Sequence, residues 1–147
     1  MDILKLCTNM KILILCTGNS CRSQMAEGFI KSFDPTLKVM SAGTHPEKVV
    51  SPYAISVMKE IGIDISSHHP KPVSDFINDS FDFVITVCDH AKEVCPIFTG
   101  NVKHRLHLGF EDPAEATGSD DEKLSVYRKI RDQIRSEFEK FYRSYLS

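Results

Sequence analysis

The sequence lacks any apolar run long enough to cross a membrane. Its longest, at residues 12–16, falls far short of the roughly 20 residues that span a bilayer. We also predict no signal peptide, because position 2 is acidic, the apolar run is brief and no small-residue cleavage site follows. We therefore predict a cytoplasmic protein that has no membrane partner.

An excess of charge of either sign is also absent. The 18 Lys and Arg residues nearly balance the 20 Asp and Glu residues, which leaves a formal net charge of -2. Such a balance provides no general attraction for nucleic acid, so any anion that the protein binds must be held locally. Hydrophobic residues make up 41% of the chain and charged residues 26%, as in an average soluble globular protein, which excludes a disordered or collagen-like chain.

No internal repeat, low-complexity tract or long linker divides the 147 residues. A chain of this length fits one domain, and we predict a single domain over residues 11–147 that follows an N-terminal extension of residues 1–10. The five cysteines are an odd number, and a reducing compartment does not preserve structural disulfides. Their predicted roles are therefore packing, metal binding or redox chemistry.

The hydrophobic pattern indicates strands that alternate with helices. Apolar, β-branched runs predict strands over residues 11–16, 37–42, 81–87 and, more weakly, 102–108, and amphipathic patterns predict helices over residues 23–33, 52–61 and after residue 120. This alternation predicts the α/β class, as a single three-layer domain with a four-stranded, mainly parallel sheet flanked by helices. Ligands in such folds bind at the carboxyl ends of the strands, so the end of the first strand is the predicted site.

The loop after the first predicted strand has the composition of an anion cradle. It reads Cys16, Thr17, Gly18, Asn19, Ser20, Cys21, Arg22 and Ser23. The N–H groups of such a loop and of a helix N-terminus converge on a tetrahedral oxyanion, and Arg22 offers a bidentate guanidinium. The same field should lower the pKa of the Cys16 thiol and make it a nucleophile, while Ser23 either caps the helix or hydrogen-bonds the thiolate.

Each of these loop residues also has a purely structural interpretation. Cys16 can be a buried strand-end cysteine, Arg22 a surface charge and the Gly18-Asn19 pair a simple turn. The position of the loop between a strand and a helix favours the anion cradle. Packing is the favoured role for the side chain of Cys21.

Three motifs carry a resemblance to a known family. The segments CTGNSCRSQMAEG (residues 16–28), SAG (41–43) and EDPA (111–114) resemble the low-molecular-weight phosphatase superfamily and, within it, the thioredoxin-coupled arsenate reductases. The resemblance extends from residue 11 to the C-terminal helix. It implies that Cys16 is the nucleophile, that Arg22 and the loop amides hold the oxyanion, and that Asp112 is the general acid. From sequence alone, Asp112-Pro113 would be read as a turn.

Two further cysteines distinguish a reductase from a phosphatase. Reducing As(V) to As(III) requires two electrons that thiols must supply, whereas a phosphatase needs only one cysteine. The resemblance implies a relay in which Cys88 attacks Cys16 and Cys95 then attacks Cys88, which leaves a Cys88–Cys95 disulfide for thioredoxin. Gln24, and the absence of aromatic residues after Asp112-Pro113, also favour the reductase. Core packing, or a zinc site that includes His90, are the alternatives for the two cysteines.

The residues that support the loop follow from the same resemblance. Some members of the reductase class bind potassium beside the loop, and Asn19, Glu27 and Ser41 match three of its ligands. Lys71 stands near the position of the fourth ligand, an aspartate. We therefore predict that the ammonium of Lys71 takes the place of the cation and interacts with Glu27, so that no metal and no cofactor are required. The alternative is a solvated Lys71.

The predicted function is the reduction of arsenate, which phosphate or sulfate can mimic in the loop, with thioredoxin as the electron donor. One alternative is a low-molecular-weight protein tyrosine phosphatase that hydrolyses phosphate monoesters through a phosphocysteine. From another class, the chain can be an anion-binding or arsenic-sensing module without turnover.

Overall fold

The computed structural model describes residues 10–89, 91–93 and 95–147, so the predicted N-terminal extension lies outside the described residues except for Met10. Four strands alternate with α-helices in this part of the chain. In chain order they are β1 (Lys11–Cys16), α1 (Arg22–Phe33), β2 (Lys38–Gly43), α2 (Pro52–Lys59), β3 (Ser80–Thr86), β4 (Asn101–His107) and α3 (Asp120–Phe141). Short 3-10 helices cover Val73–Phe76 and Pro113–Glu115, and a π-helical turn, Tyr142–Leu146, continues α3.

The four strands form one sheet in the order β2-β1-β3-β4, and every neighbouring pair is parallel. The predicted α/β class with a four-stranded sheet is confirmed. β1 lies between β2 and β3. The chain leaves β1 on one side to form β2 and then crosses to its other side to form β3, and open α/β sheets bind ligands where the strand order reverses in this way. The register pairs Cys16 with Gly43 of β2 and Leu15 with Thr86 of β3. The end of β1 is therefore flanked by the ends of both neighbouring strands.

The two faces of the sheet are covered differently. Ile12 and Ile14 of β1 belong to the larger core, to which all three α-helices contribute buried side chains. Leu13 and Leu15 point to the opposite face, where they pack in a smaller cluster with Phe98, beside the 3-10 helix Val73–Phe76. In the described residues, this face of the sheet is therefore covered by a 3-10 helix and loops.

The long helix α3 packs against α1 and α2 and closes the larger core. Ser119 caps its N-terminus in a reciprocal capping box with Glu122. Its predicted apolar stripe is buried over most of its length, whereas Tyr145 is 54% exposed. The buried members are Tyr127, Ile130, Ile134, Phe138 and Phe141. Among the described residues, no helix is long and apolar enough to span a bilayer.

Candidate active site

A cavity of about 330 Å³ opens at the carboxyl end of β1. Its floor is the predicted oxyanion loop, and its rim comes from segments that follow β2, β3 and β4. The predicted site residues that line it are Cys16, Thr17, Gly18, Asn19, Ser20, Cys21, Arg22 and Asp112. Ser23 lies beneath the loop and is fully buried. The fold thus brings together residues that are up to 96 positions apart in the sequence.

The loop folds around the sulfur atom of Cys16. Asn19 adopts a left-handed backbone conformation with φ of 51°, and its N–H donates to the Cys16 Sγ at 3.1 Å. The Oγ of Ser23 lies 3.0 Å from the same sulfur and accepts a hydrogen bond of 2.8 Å from the Asn19 side-chain amide. Ser23 therefore contacts the thiol. The helix N-cap is Cys21, which makes no side-chain capping bond.

The end of β2 presses against the back of the loop. A Cβ atom at Gly43 would lie only 2.3 Å from the carbonyl oxygen of Thr17, so no larger residue fits there without moving the loop. The carbonyl oxygens of Thr17 and Gly18 each accept a 2.9 Å hydrogen bond, from the N–H groups of His45 and Glu47 respectively. These contacts turn the loop carbonyls away from the cavity. The SAG motif contains Gly43, but sequence reasoning did not identify the steric reason for a glycine at this position.

Burial controls the protonation of Cys16 in this form of the protein. The side chain is only 2% exposed, and desolvation raises the pKa of the Cys16 thiol above its ordinary value. The hydrogen bond with Ser23, the charge of Arg22 and the N–H of Asn19 act in the opposite direction without outweighing burial. The predicted lowering of this pKa is therefore wrong here. A physical reason is that carboxylates already neutralise the Arg22 charge.

Arg22 is buried and fully paired. Its guanidinium donates to both carboxylate oxygens of Glu93, at 2.5 and 3.0 Å, and to the Phe110 carbonyl oxygen at 3.1 Å. Asp112 places one carboxylate oxygen 3.6 Å from the same guanidinium. Burial acts to lower the pKa of Arg22, but the hydrogen bonds to Glu93 and the charge of Asp112 outweigh it and raise the pKa. Sequence reasoning did not identify Glu93.

Asp112 begins a turn and also faces the cavity. One of its carboxylate oxygens accepts a 3.0 Å hydrogen bond from the Ala114 N–H and starts the turn at Pro113–Glu115. The other faces Arg22 at the cavity, and the side chain is 30% exposed. Ala114 and Glu115 follow on the rim. Among the described residues that line the cavity none is Phe, Tyr or Trp, so this rim offers no aromatic wall for a phosphotyrosine ring.

Cys88 and Cys95 form a disulfide with a Cα–Cα distance of 5.8 Å, within the usual range for such bonds. This is the pairing that the resemblance implies. Cys88 follows β3 and is fully buried, and the preceding Val87 N–H donates to the Leu15 carbonyl oxygen at 3.0 Å. The disulfide therefore lies at the same sheet edge as Cys16. A disulfide pair cannot ligate zinc as thiolates, and no metal-binding group occurs within the described ranges; His90 lies outside them.

Glu27 forms the centre of the network below the loop. Its buried carboxylate accepts hydrogen bonds from the Ser41 hydroxyl at 2.7 Å and from the Lys31 ammonium at 2.6 Å. The His68 ring lies 3.4 Å from the same carboxylate. The ammonium that hydrogen-bonds Glu27 is therefore that of Lys31, one turn along α1, whereas the ammonium of Lys71 acts on this carboxylate through its charge. Sequence reasoning overlooked Lys31 because the i, i+4 spacing on a helix is common and carries no functional signal.

Lys71 supports the loop through its backbone. Its N–H donates to the Asn19 side-chain oxygen at 2.9 Å, while its ammonium donates to the carbonyl oxygen of His69 at 3.0 Å. The amide of Gln24 donates to the Asn19 backbone and side-chain oxygens at 3.1 Å each, and its oxygen lies 3.0 Å from the His68 ring. His68 is half-buried inside this network, and its burial lowers its pKa.

Comparison with known proteins gives consistent results. Residues 11–146 match the family described as low molecular weight phosphotyrosine protein phosphatase. An arsenate reductase from Halalkalibacterium halodurans is 48% identical over 128 residues, which cover 86% of this chain and 91% of that protein. An arsenate reductase from Bacillus subtilis is 42% identical over 134 residues, or 90% and 95% of the two chains. A solved arsenate reductase in a phosphate-binding state superimposes with a TM-score of 0.77 at 34% identity, covering 94% of this chain and 99% of that one.

Proposed function

Because this chain belongs to the low molecular weight phosphotyrosine protein phosphatase family, we propose that it is an arsenate reductase whose electrons come from a relay of three cysteines. The observation that carries the proposal is the Cys88–Cys95 disulfide at the sheet edge where Cys16 ends β1. A phosphatase cycle ends with hydrolysis and has no use for a second and third cysteine. The relatives described above are themselves arsenate reductases.

Substrate binding relies on the loop and on Arg22. Arsenate is a tetrahedral oxyanion, and a guanidinium fork with convergent N–H groups matches two of its oxygens at once. The carboxyl group of Asp112 reaches the same cavity and acts as the general acid for the departing oxygen. The thiol of Cys16 must lose its proton to attack, and the hydrogen bond with Ser23, the charge of Arg22 and the N–H of Asn19 all stabilise the resulting thiolate.

The proposed reaction consists of three exchanges at sulfur. The Cys16 thiolate attacks As(V), and one arsenate oxygen leaves as water with the proton from Asp112. The Cys88 thiolate then attacks the Cys16 sulfur; the S–S bond forms, the As–S bond breaks and its electron pair reduces As(V) to As(III), which departs as arsenite. Finally the Cys95 thiolate attacks Cys88 and releases Cys16. The two electrons come from Cys88 and Cys95, which remain as the disulfide.

The resulting disulfide needs an external dithiol before another cycle. We propose thioredoxin as that donor, because a dithiol of low reduction potential reduces a protein disulfide by the same exchange chemistry. A cytoplasmic location, predicted from the sequence, would provide this donor.

Turnover with a coupled donor tests the relay. NADPH oxidation is followed with thioredoxin, thioredoxin reductase and arsenate, for the wild type and for the Cys88→Ser and Cys95→Ser variants. We expect arsenate-dependent oxidation in the wild type and none in either variant, since each lacks one of the two electron-donating thiols. Cys7→Ser is the matched control, because that cysteine lies in the predicted N-terminal extension.

The two variants also differ from each other in a single turnover. Cys95→Ser should release one equivalent of arsenite and accumulate a Cys16–Cys88 disulfide, whereas Cys88→Ser should release none; mass spectrometry of the quenched protein distinguishes them. Steady turnover by Cys88→Ser would refute the relay. Efficient hydrolysis of p-nitrophenyl phosphate without arsenate-driven NADPH oxidation would replace the reductase by the phosphatase, and binding of arsenate without either activity would indicate a sensor.

A further inference from the structure

The carboxylate of Glu93 occupies the position on Arg22 that an oxyanion would take. Both of its oxygens accept hydrogen bonds from the two terminal nitrogens of the guanidinium, at 2.5 and 3.0 Å. One of them also accepts a 3.4 Å hydrogen bond from the Thr17 hydroxyl of the loop. A carboxylate and one edge of a tetrahedral oxyanion present the same pair of acceptors to an arginine fork. Glu93 therefore satisfies Arg22 in the way that a bound oxyanion would.

The pairing of Glu93 with Arg22 is more specific than the presence of several carboxylates on the cavity rim. Five carboxylate side chains line the cavity, namely those of Glu47, Asp89, Glu93, Asp112 and Glu115. Only Glu93 and Asp112 are paired with Arg22 among the described residues, and only Glu93 is bidentate. Burial acts to raise the pKa of Glu93, but the hydrogen bonds from Arg22 and from the Asp89 N–H outweigh it and lower the pKa. The competing group is thus charged at neutral pH.

The position of Glu93 depends on the ring that the disulfide closes. Glu93 lies between Cys88 and Cys95 in the sequence, and its N–H donates to the Asp89 carbonyl oxygen at 2.9 Å. Its carboxylate in turn accepts a 3.0 Å hydrogen bond from the Asp89 N–H. A compact turn, clamped at both ends by the disulfide, therefore presents this carboxylate to Arg22. In the proposed relay Cys88 must reach Cys16, which requires this ring to open.

We propose that Glu93 is a redox-controlled plug of the oxyanion site, which holds Arg22 while the Cys88–Cys95 disulfide is closed and releases it on reduction. This inference rests on the proposed function in that it takes the cavity to be the oxyanion site. The plug orders the catalytic cycle. If arsenate entered the oxidised protein, Cys16 would form an arsenic adduct that no free thiol at Cys88 could resolve, so excluding the oxyanion until reduction avoids a dead end.

The test is calorimetric titration of inorganic phosphate into the oxidised and the fully reduced protein at the same pH and ionic strength. Phosphate binds without reacting, so the result does not depend on reductase activity. For the wild type we expect the reduced form to bind phosphate at least about tenfold more tightly, because the oxidised form must first give up a charge-assisted bidentate pair. Thiol counting and mass spectrometry confirm the redox state of each sample.

Three variants isolate the carboxylate. Glu93→Gln should bind phosphate in the oxidised form almost as tightly as in the reduced form. Glu93→Asp keeps the charge but shortens the side chain by one methylene, so it should also lose most of the difference. Glu47→Gln removes a charge from the same rim away from Arg22 and should keep the wild-type difference.

Three outcomes would overturn the plug. Equal phosphate affinity in the two redox forms of the wild type, or a difference that persists in Glu93→Gln, would overturn it and leave the proposed reductase untouched. An absence of phosphate binding in every reduced protein would overturn the oxyanion site itself, and the plug with it. The coupled NADPH assay then decides separately whether arsenate is reduced.

Discussion

The loop of residues 16–23 and the segment of residues 88–95 meet at one cavity but are held in different ways. Every residue of the loop is buried or half-buried, and hydrogen bonds from four other parts of the chain fix its carbonyls and side chains. In the segment, Ala91 and Lys92 are exposed. Its described hydrogen bonds and covalent links are a local turn, the disulfide and the contacts of Glu93 with Arg22 and Thr17. The loop proposed to bind the oxyanion is thus preorganised, whereas few contacts hold the segment proposed to transfer electrons.

The largest effect is expected at the nucleophile of the rigid loop. Cys16→Ser should lower arsenite production by more than about 10⁴-fold, because a serine hydroxyl beside the same groups is a far weaker nucleophile than a thiolate. Cys21 lies in the same loop with its sulfur 3.4 Å from the Tyr127 hydroxyl, so Cys21→Ser should cost less than about tenfold. Arsenite release under single-turnover conditions measures both, and similar losses would contradict the assignment of Cys16.

The next largest difference between the loop and the segment is expected in how substitutions change thermodynamic stability. Gly43→Ala should lower the free energy of unfolding by about 2 kcal/mol, because its methyl group meets the Thr17 carbonyl oxygen at 2.3 Å. Lys92→Ala, on the exposed part of the segment, should change it by less than about 0.5 kcal/mol. Urea unfolding of the oxidised proteins measures both values. Equal costs would mean that the loop is no more constrained than the segment.

The smallest expected effect is on the pKa of Cys16, which depends on both the loop and the segment. Burial raises the pKa of this thiol, so the thiolate absorbance at 240 nm, taken as a difference from Cys16→Ser, should appear only on the alkaline side of the usual thiol range. Since the neutral form is favoured in the folded protein, this contribution to stability is present below the unfolded pKa and is lost as the pH rises through the folded one.

Glu93→Gln should move the same titration to lower pH, because Arg22 then keeps only Asp112 as a carboxylate partner and acts more strongly on the thiolate. Glu47→Gln, which also removes a rim charge, should shift it less. A thiolate already formed at neutral pH in the oxidised wild type would show that burial does not dominate.

Prediction from the sequence succeeded where the signal is local. The strands and helices lie within two residues of their predicted bounds, since apolar periodicity alone defines them. The anion cradle was readable because Cys16, Arg22 and the residues between them are contiguous. The role of Gly43 was harder to recognise, since its neighbour Thr17 lies 26 residues away and only the parallel pairing of β1 with β2 brings them together.

The amino-acid sequence determined the α/β fold, the loop at the end of β1 and the cysteines available for redox chemistry, because each depends on residue types at short, regular spacing. The tertiary structure decided that Glu93 pairs with Arg22 and that Lys31 pairs with Glu27. It also decided that burial outweighs the electrostatic field of the loop at Cys16. Electrostatic pairing depends on distances between side chains and on their exclusion from water, and neither is set until the segments pack together.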